Sequence, residues 1–351
     1  MSEGKKKGLT YRDAGVDIEA QDRALARIRQ HLESTRTPGV LSGLGSFGGL
    51  FRVPRDVDDP VLVASTDGVG TKLKLAFLTG RHDTVGEDLV NHCVDDILVM
   101  GARPLFFLDY YAVGRLDPRV AEQVVAGIAR GCRANGCALL GGETAEMPDM
   151  YPAGEYDLAG TIVGIVPRDR ILDGSRVRPG DRLVGLASTG LHTNGYTLAR
   201  KIVFEVLGLS VDDELPGTGR TVADALLAVH RSYLPVLEEP LRAGWIHALA
   251  HVTGGGLPDN LPRVLPEGCA ARVDLGSWPV PELFRLLQRA GEVPREDLLR
   301  TFNLGIGMVA VVPEERLADL AAHLEARREP WWEIGRVVPG RRGVLFAGEL
   351  P

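Results

Sequence analysis

The residues best suited to chemistry lie in Ser65-Thr66-Asp67-Gly68-Val69-Gly70-Thr71-Lys72, where an acid, two glycines and a lysine follow an apolar stretch beginning at Val61. That stretch reads as a buried strand, which puts the segment at a strand's carboxyl end, where α/β proteins bind ligands. Asp67 supplies a hard oxygen of the kind Mg²⁺ prefers, Lys72 a cation for phosphates, and Gly68 and Gly70 permit close backbone approach. Thr71 precedes the lysine, the reverse of P-loop order, and the spaced upstream glycine is missing, so the P-loop mechanism does not transfer. On its own the segment also fits a tight turn bearing a surface lysine.

Two more acids join it. In a helix over 84–100, Val85, Leu89, Cys93 and Ile97 with Val90 and Val94 form an apolar arc. Asp96 falls at the edge of that arc and is the metal candidate, while Asp95 projects away and reads as solvated. His92, one turn before Asp96, is read as its pairing partner rather than as a ligand. Gly141-Gly142-Glu143 follows an apolar strand over 137–140 and places a third carboxylate beside glycines. Asp67, Asp96 and Glu143 converging from separate elements would hold Mg²⁺ on a nucleotide, whose phosphates complete the oxygen shell.

Two loops of the second half join a strand to a helix: Thr189 to Gly195 and His251 to Gly256. Asn194, Gly195, Gly254, Gly255 and Gly256 offer backbone amides for an anion. His192 and His251 are able to move protons near neutrality, although a loop histidine more often serves structure. Near the N-terminus, Gly43, Gly45 and Gly48 spell G-x-G-x-x-G, but Thr37-Pro38-Gly39 precedes them and an extended Phe51 to Pro54 follows. A dinucleotide fingerprint needs a strand before and a helix after. A loop closing over phosphates and an ordinary hairpin turn both remain open.

Positioning these groups requires alternating elements. Strands over 61–65, 105–111, 137–140 and 157–166 alternate with helices over 84–100 and 118–135, the latter with Asp117 as N-cap, Pro118 in its first turn and Gly136 beyond its end. After the Pro/Gly/Arg-rich stretch 167–180 come strand 182–187, helices 195–207 and 222–237, strand 246–251, helix 257–264 and strand 271–275. Helix 281–290, strand 305–312, helix 313–327 and an edge strand over 331–337 complete the chain. The reading is an α/β (α+β) protein of two domains, 1–169 and 170–351. A length of 351 residues favours two cores over one.

Composition excludes several classes. With 44% hydrophobic and 25% charged residues and no long apolar run, the chain reads as globular without a membrane span. A net charge of −7 argues against nucleic-acid binding. Lys5 to Lys7 head a solvated tail with no apolar run behind them, and Cys93, Cys132, Cys137 and Cys269 form no C-x-x-C pair. Reduced thiols and a cytoplasmic location are the expectation.

Taken in order, these segments resemble the phosphoribosylformylglycinamidine cyclo-ligase family, the aminoimidazole ribonucleotide synthetases. The resemblance runs through residues 10–17, the Gly43 loop, Ser65 to Leu73, Leu105 to Tyr111, Gly141 to Met147, Leu191 to Tyr196, His251 to Asn260 and Arg300 to Met308. It implies a homodimer whose N-terminal sheets pair into a central barrel, Mg²⁺-ATP in a groove lined by glycine-rich segments, and closure of formylglycinamidine ribonucleotide to an imidazole with release of ADP and phosphate. It further implies Mg²⁺ held by Asp67, Asp96 and Glu143, phosphates met by Lys72, and proton transfer or substrate contact by His192 or His251. The family usually has Asn where this chain has Asp95. Selenophosphate synthetase and thiamin monophosphate kinase are the related alternatives, and a catalytically silent nucleotide-binding scaffold is a third.

Overall fold

The computed structural model describes residues 8, 9, 15, 18–43 and 45–350. The lysines of the N-terminal tail, residues 10–17 apart from Gly15, and Leu44 lie outside the described residues.

The first half runs α1 (Ile18–Glu33), β1 (Pro60–Gly68), α2 (Leu73–Thr79), α3 (Val85–Leu98), β2 (Arg103–Val113), α4 (Pro118–Ala134), β3 (Ala138–Glu146) and β4 (Tyr156–Pro167). Its sheet has the order β1-β4-β2-β3, with β2 and β3 parallel and the other pairs antiparallel. Helix α4 starts as its sequence dictates: Asp117 Oδ1 accepts the Arg119 N–H at 2.8 Å, and Pro118 occupies the first turn. The apolar arc of α3 is fully buried, packing on α4 and the sheet. Along β1 the alternation turns Val61, Val63, Ser65 and Asp67 to this helical layer and leaves Leu62 exposed on the other face.

The second half contains β5 (Arg182–Ala187), α5 (Tyr196–Arg200), the short pair β6 (Glu214–Leu215) and β7 (Arg220–Thr221), α6 (Val222–Leu226), α7 (Leu234–Arg242), β8 (Ala248–His251), α8 (Gly256–Asn260), β9 (Cys269–Asp274), α9 (Glu282–Gly291), α10 (Arg295–Thr301), β10 (Ile306–Val312), α11 (Leu317–Ala326), β11 (Trp331–Pro339) and β12 (Val344–Ala347). Six of these strands form a mixed sheet in the order β12-β9-β11-β5-β10-β8. The chain is thus mixed α/β with two sheet-and-helix domains. All four cysteines are free and buried, and no helix among the described residues is long and apolar enough to cross a membrane.

Several expectations need correction. Strand β11 is interior, between β9 and β5, and β12 forms the edge. The helix expected over 222–237 breaks into α6 and α7, because Pro235 has no N–H to donate to a carbonyl four residues back and its ring crowds that carbonyl, so Pro235 suits the first turn of a new helix rather than the interior of a continuous one. The helix expected over 195–207 is α5 followed by a π turn, Lys201–Val206, and that over 257–264 is α8 followed by a 3₁₀ turn, Leu261–Val264. Gly141, Gly142 and Glu143 are not a loop but the middle of β3. Gly142 pairs with Asp109, whose carboxylate lies over it; a Cβ there would come 2.1 Å from Asp109 Oδ1.

The halves meet along α3. Lys72, in the 3₁₀ turn Gly70–Lys72, is completely buried and reaches across the junction: Nζ donates to Asp88 Oδ1 at 2.8 Å, to the His192 carbonyl at 3.2 Å and to the Ala228 carbonyl at 2.7 Å. Asp88 Oδ1 also accepts the His230 N–H at 2.6 Å. Burial pushes the Lys72 ammonium down and the Asp88 carboxyl up, and each partner opposes the other's shift. Asp95 was expected in solvent but is fully buried, because residues of the second half cover that flank of α3. Its Oδ1 accepts the Tyr233 N–H at 2.9 Å, and its Oδ2 has no hydrogen bond. Burial raises the Asp95 carboxyl well above its ordinary range, and the Tyr233 N–H needs only an acceptor there, which an Asn would also supply.

Removing one partner of the buried pair strands the other, so Lys72→Met should cost about 3–5 kcal/mol in denaturant unfolding, with the Lys72→Met/Asp88→Leu double variant recovering part of it. Because folding raises the Asp95 pKa, that group's contribution is present below the ordinary carboxyl range and is lost as pH rises through the folded value. Asp95→Asn keeps the acceptor for Tyr233 and should remove that pH-dependent loss. Asp95→Leu, which leaves that N–H unpaired, should cost about 1–3 kcal/mol.

Candidate active site

Asp67 near the end of β1 and His92 and Asp96 on α3 form one cluster. His92 Nε2 lies 2.6 Å from Asp67 Oδ2 and 3.8 Å from Asp96 Oδ2, so its main partner is Asp67 and not the residue one turn away. Asp67 Oδ1 accepts the Gly68 N–H at 2.6 Å. Asp96 is held from two sides: the Ser65 hydroxyl donates to Oδ2 at 2.9 Å, and His251 Nδ1, from the end of β8, lies 2.9 Å from Oδ1. The second half also supplies Thr193, whose hydroxyl sits 2.7 Å from His92 Nδ1 and 3.3 Å from His230 Nδ1, and His230 Nε2 lies 3.1 Å from His251 Nε2.

The two carboxylates remain partly exposed, 43% for Asp67 and 25% for Asp96, while the imidazoles behind them are buried. Burial pushes Asp67 up, but the hydrogen bond and charge of His92 outweigh it and hold the carboxyl below its ordinary value. In Asp96 burial is likewise overcome, by the hydrogen bond and charge of His251. Burial pushes His92 down, yet the hydrogen bond to Asp67 and the charge of Asp96 leave it raised. His251 is lowered, because burial there exceeds the pull of Asp96. Two ionised, accessible carboxylates in one cluster fit Mg²⁺, which takes oxygen ligands and retains water or phosphate on its other positions.

A cavity of about 510 Å³ opens beside Asp96 at the junction of the halves, lined among others by Ser65, Asp96, His251, Thr253, Asn260 and Arg263. The loop after β8 is laced by Asn260, whose Nδ2 donates to the carbonyls of Thr253, Gly254 and Gly256. Gly256 has φ +58°, and a Cβ there would meet the Leu299 carbonyl at 1.9 Å, so this turn tolerates only glycine. Gly254 lies beside Asn194, and Gly195, with φ +78°, packs on Phe302. The Thr71 hydroxyl meets that of Thr197 at 3.1 Å, tying the Asp67 segment to the start of α5.

Other sequence candidates lie elsewhere. Lys72 is no free phosphate cation here, since its ammonium is enclosed with three partners. His192 is also enclosed: its ring stacks on His230 at 4.0 Å between centroids, Nε2 accepts the Thr189 N–H at 3.2 Å, and burial holds it well below its ordinary pKa. Glu143 does not converge with Asp67 and Asp96 within one chain. Asp67 and Gly142 both lie in register with the Gly160–Asp109 row, on opposite edge strands, three strand spacings or about 14 Å apart. Gly43, Gly45 and Gly48 are exposed in a hairpin-like turn closed by Val40 opposite Phe51, with Gly49 against Leu140 on the β3 edge. Sequence reasoning missed His230, Thr193 and Arg263. His230 was hidden inside a helix that Pro235 argues against, whereas nothing local singles out Arg263.

Comparison with known proteins agrees with this layout. The family models described as AIR synthase related protein, N-terminal and C-terminal domains, match residues 49–166 and 178–348. The phosphoribosylformylglycinamidine cyclo-ligase of Geobacter sulfurreducens is 54% identical over 95% of this chain and 96% of its own length. That of Sorangium cellulosum is 54% identical over 96% of this chain and 99% of its own. Among solved structures, thiamine-monophosphate kinase from Stenotrophomonas maltophilia aligns with a TM-score of 0.69 at 23% identity over 93% of this chain and 97% of that one. A hydrogenase maturation protein HypE in complex with ATP aligns at 0.67 and 23%, over 94% and 92%. At such identities the structural likeness concerns the fold alone. The near-full-length identity to the curated relatives decides the family, and the chain belongs to the phosphoribosylformylglycinamidine cyclo-ligases, ligases of purine biosynthesis.

Proposed function

We propose that this protein uses Mg²⁺-ATP to close formylglycinamidine ribonucleotide to 5-aminoimidazole ribonucleotide in the cytoplasm, with residues 1–169 as the ATP-binding and dimerisation domain and 170–351 completing the site. The observation that carries the reading is the pair of accessible, ionised carboxylates Asp67 and Asp96 beside a cavity that both halves line. The ATP complex of the fold relative HypE supports the nucleotide, and the family supports the substrate.

An amide oxygen leaves poorly. Its attack on the γ-phosphorus, with departure of ADP and loss of the amide proton, makes an iminophosphate whose carbon an amidine nitrogen attacks. Phosphate then leaves and the ring is complete, the atoms balancing as loss of water driven by ATP. When bound, Mg²⁺ would supply positive charge against the phosphoryl group being transferred. Asp67 and Asp96 would hold that ion, with His92 and Ser65 fixing the direction of their oxygens, and Arg263, in the cavity lining, is a cation available to the substrate's phosphate. His251, at the cavity wall, holds Asp96 in place through Nδ1. Lys72 acts at a distance by fixing the junction, and the loops at Asn194 and at Gly254 to Gly256 enclose the substrate.

A homodimer follows from the same reading. The β3 edge, with Glu143 and the Gly43 loop beside it, joins the Asp67 site only if a second protomer brings its own β3 edge alongside β1, as closure of two sheets into a barrel would do. Purified protein given the substrate and Mg²⁺-ATP should form one aminoimidazole product per phosphate released; ATP binding without ring product would contradict the assignment. In the same assay Asp67→Asn and Glu143→Gln should each be inactive, and a reassembled equal mixture should regain about a quarter of wild-type turnover, because half its dimers carry one intact site. No regain would refute the shared site.

A further inference from the structure

Three buried histidines, His92, His230 and His251, form a cluster distinct in chemistry from the carboxylate pair at its mouth. Their ring centroids mark a nearly equilateral triangle, with separations of 5.1 Å for His92 to His230, 5.1 Å for His92 to His251 and 5.2 Å for His230 to His251. The rings are mutually inclined by 71°, 62° and 69°, so none of the three stacks on another. Three imidazoles bound to one tetrahedral ion at a metal–nitrogen distance of about 2.0–2.1 Å have donor nitrogens about 3.3 Å apart and centroids about 5.1 Å apart. The observed triangle has that size, and the His230 and His251 Nε2 atoms face each other at 3.1 Å.

The surroundings orient the rings as ligands. His251 Nδ1 is engaged by Asp96 and His230 Nδ1 by the Thr193 hydroxyl, which leaves the two Nε2 atoms facing each other, with Asp95 Oδ2 3.5 Å from that of His230. His92 is engaged at both nitrogens, Nε2 with Asp67 at 2.6 Å and Nδ1 with the Thr193 hydroxyl at 2.7 Å, so ligation by His92 exchanges one of these bonds for the ion. Carboxylate or hydroxyl support behind each ligating imidazole is the usual outer shell of a histidine metal site. His192, stacked on His230, fixes that ring from the remaining side. The partly exposed Asp67 and Asp96 give a cation a route in.

We propose that His92, His230 and His251 form a site for a first-row divalent transition ion of the Zn²⁺ type, adjoining the carboxylate cluster and sharing His92 with it. Imidazole donors suit such ions, whereas Mg²⁺ takes oxygen. The three ligands come from α3, from the connection between α6 and α7, and from the end of β8, so one ion stitches the first half to two segments of the second.

The test uses the full-length protein, stripped with chelator and titrated with Co²⁺ without nucleotide and with excess Mg²⁺ present. One Co²⁺ per chain should bind, with the visible absorption of a four- or five-coordinate imidazole complex, and Zn²⁺ should displace it. His230→Gln, checked for fold by circular dichroism, should bind Co²⁺ at least roughly tenfold more weakly and lose the rise in Tm that Zn²⁺ gives the wild type. Absence of the Co²⁺ spectrum in the wild type would overturn the proposal even if His230→Gln failed to fold. Equal binding by a folded His230→Gln or His92→Gln would overturn it as well.

Discussion

The arrangement depends on one buried ion pair. Lys72 and Asp88 have both lost all contact with water, a cost of several kcal/mol per ion, and the pair offsets it only because carbonyls and an N–H complete its hydrogen bonding. The identity of those extra partners matters more than the net energy. The carbonyls of His192 and Ala228 and the amide of His230 belong to two segments of the second half, so satisfying the pair fixes both against α2 and α3. Thr193 and His230 are then held within hydrogen-bond reach of one another and of His92 and His251. A hydrophobic replacement could match the stability, but it would not specify where those segments sit.

Helix α3 is the shared wall. One side carries the apolar arc that packs on the first sheet and α4; another presents Asp88, Asn91 and Asp95 to the second half; the edge between them carries His92 and Asp96 to the site. A helix buried nearly all round must satisfy its polar groups in pairs, and this one does so across the junction. Asp95 illustrates the consequence. A residue that looks solvated on the helix is enclosed in the fold, where burial pushes its carboxyl up and the Tyr233 amide needs only an acceptor.

Much of this was legible in local pattern. The arc of α3 and the cap of α4 follow from period and punctuation, and Asp96 stands out at the edge of that arc, whereas β1, read as a buried strand, is an edge strand that leaves Leu62 exposed. What one element alone does not reveal is what covers its other side. Asp95 and Lys72 look solvated on a single helix or turn and are buried only because a distant segment lies over them. Glu143 looked convergent because strand ends look alike in sequence, whereas strand order puts it at the opposite edge from Asp67. His230 was obscured by reading a continuous helix through Pro235, although the missing N–H of that proline was already visible.

The central claim is that Asp67 and Asp96 meet the metal-bound nucleotide while Lys72 stays in the junction that positions them. A crystal structure with Mg²⁺, a non-hydrolysable ATP analogue and substrate tests it most directly. The account predicts Mg²⁺ on oxygens of Asp67 and Asp96 with Lys72 Nζ still bonded to Asp88. Lys72 drawn out onto a phosphate, or Mg²⁺ held without either aspartate, would contradict it.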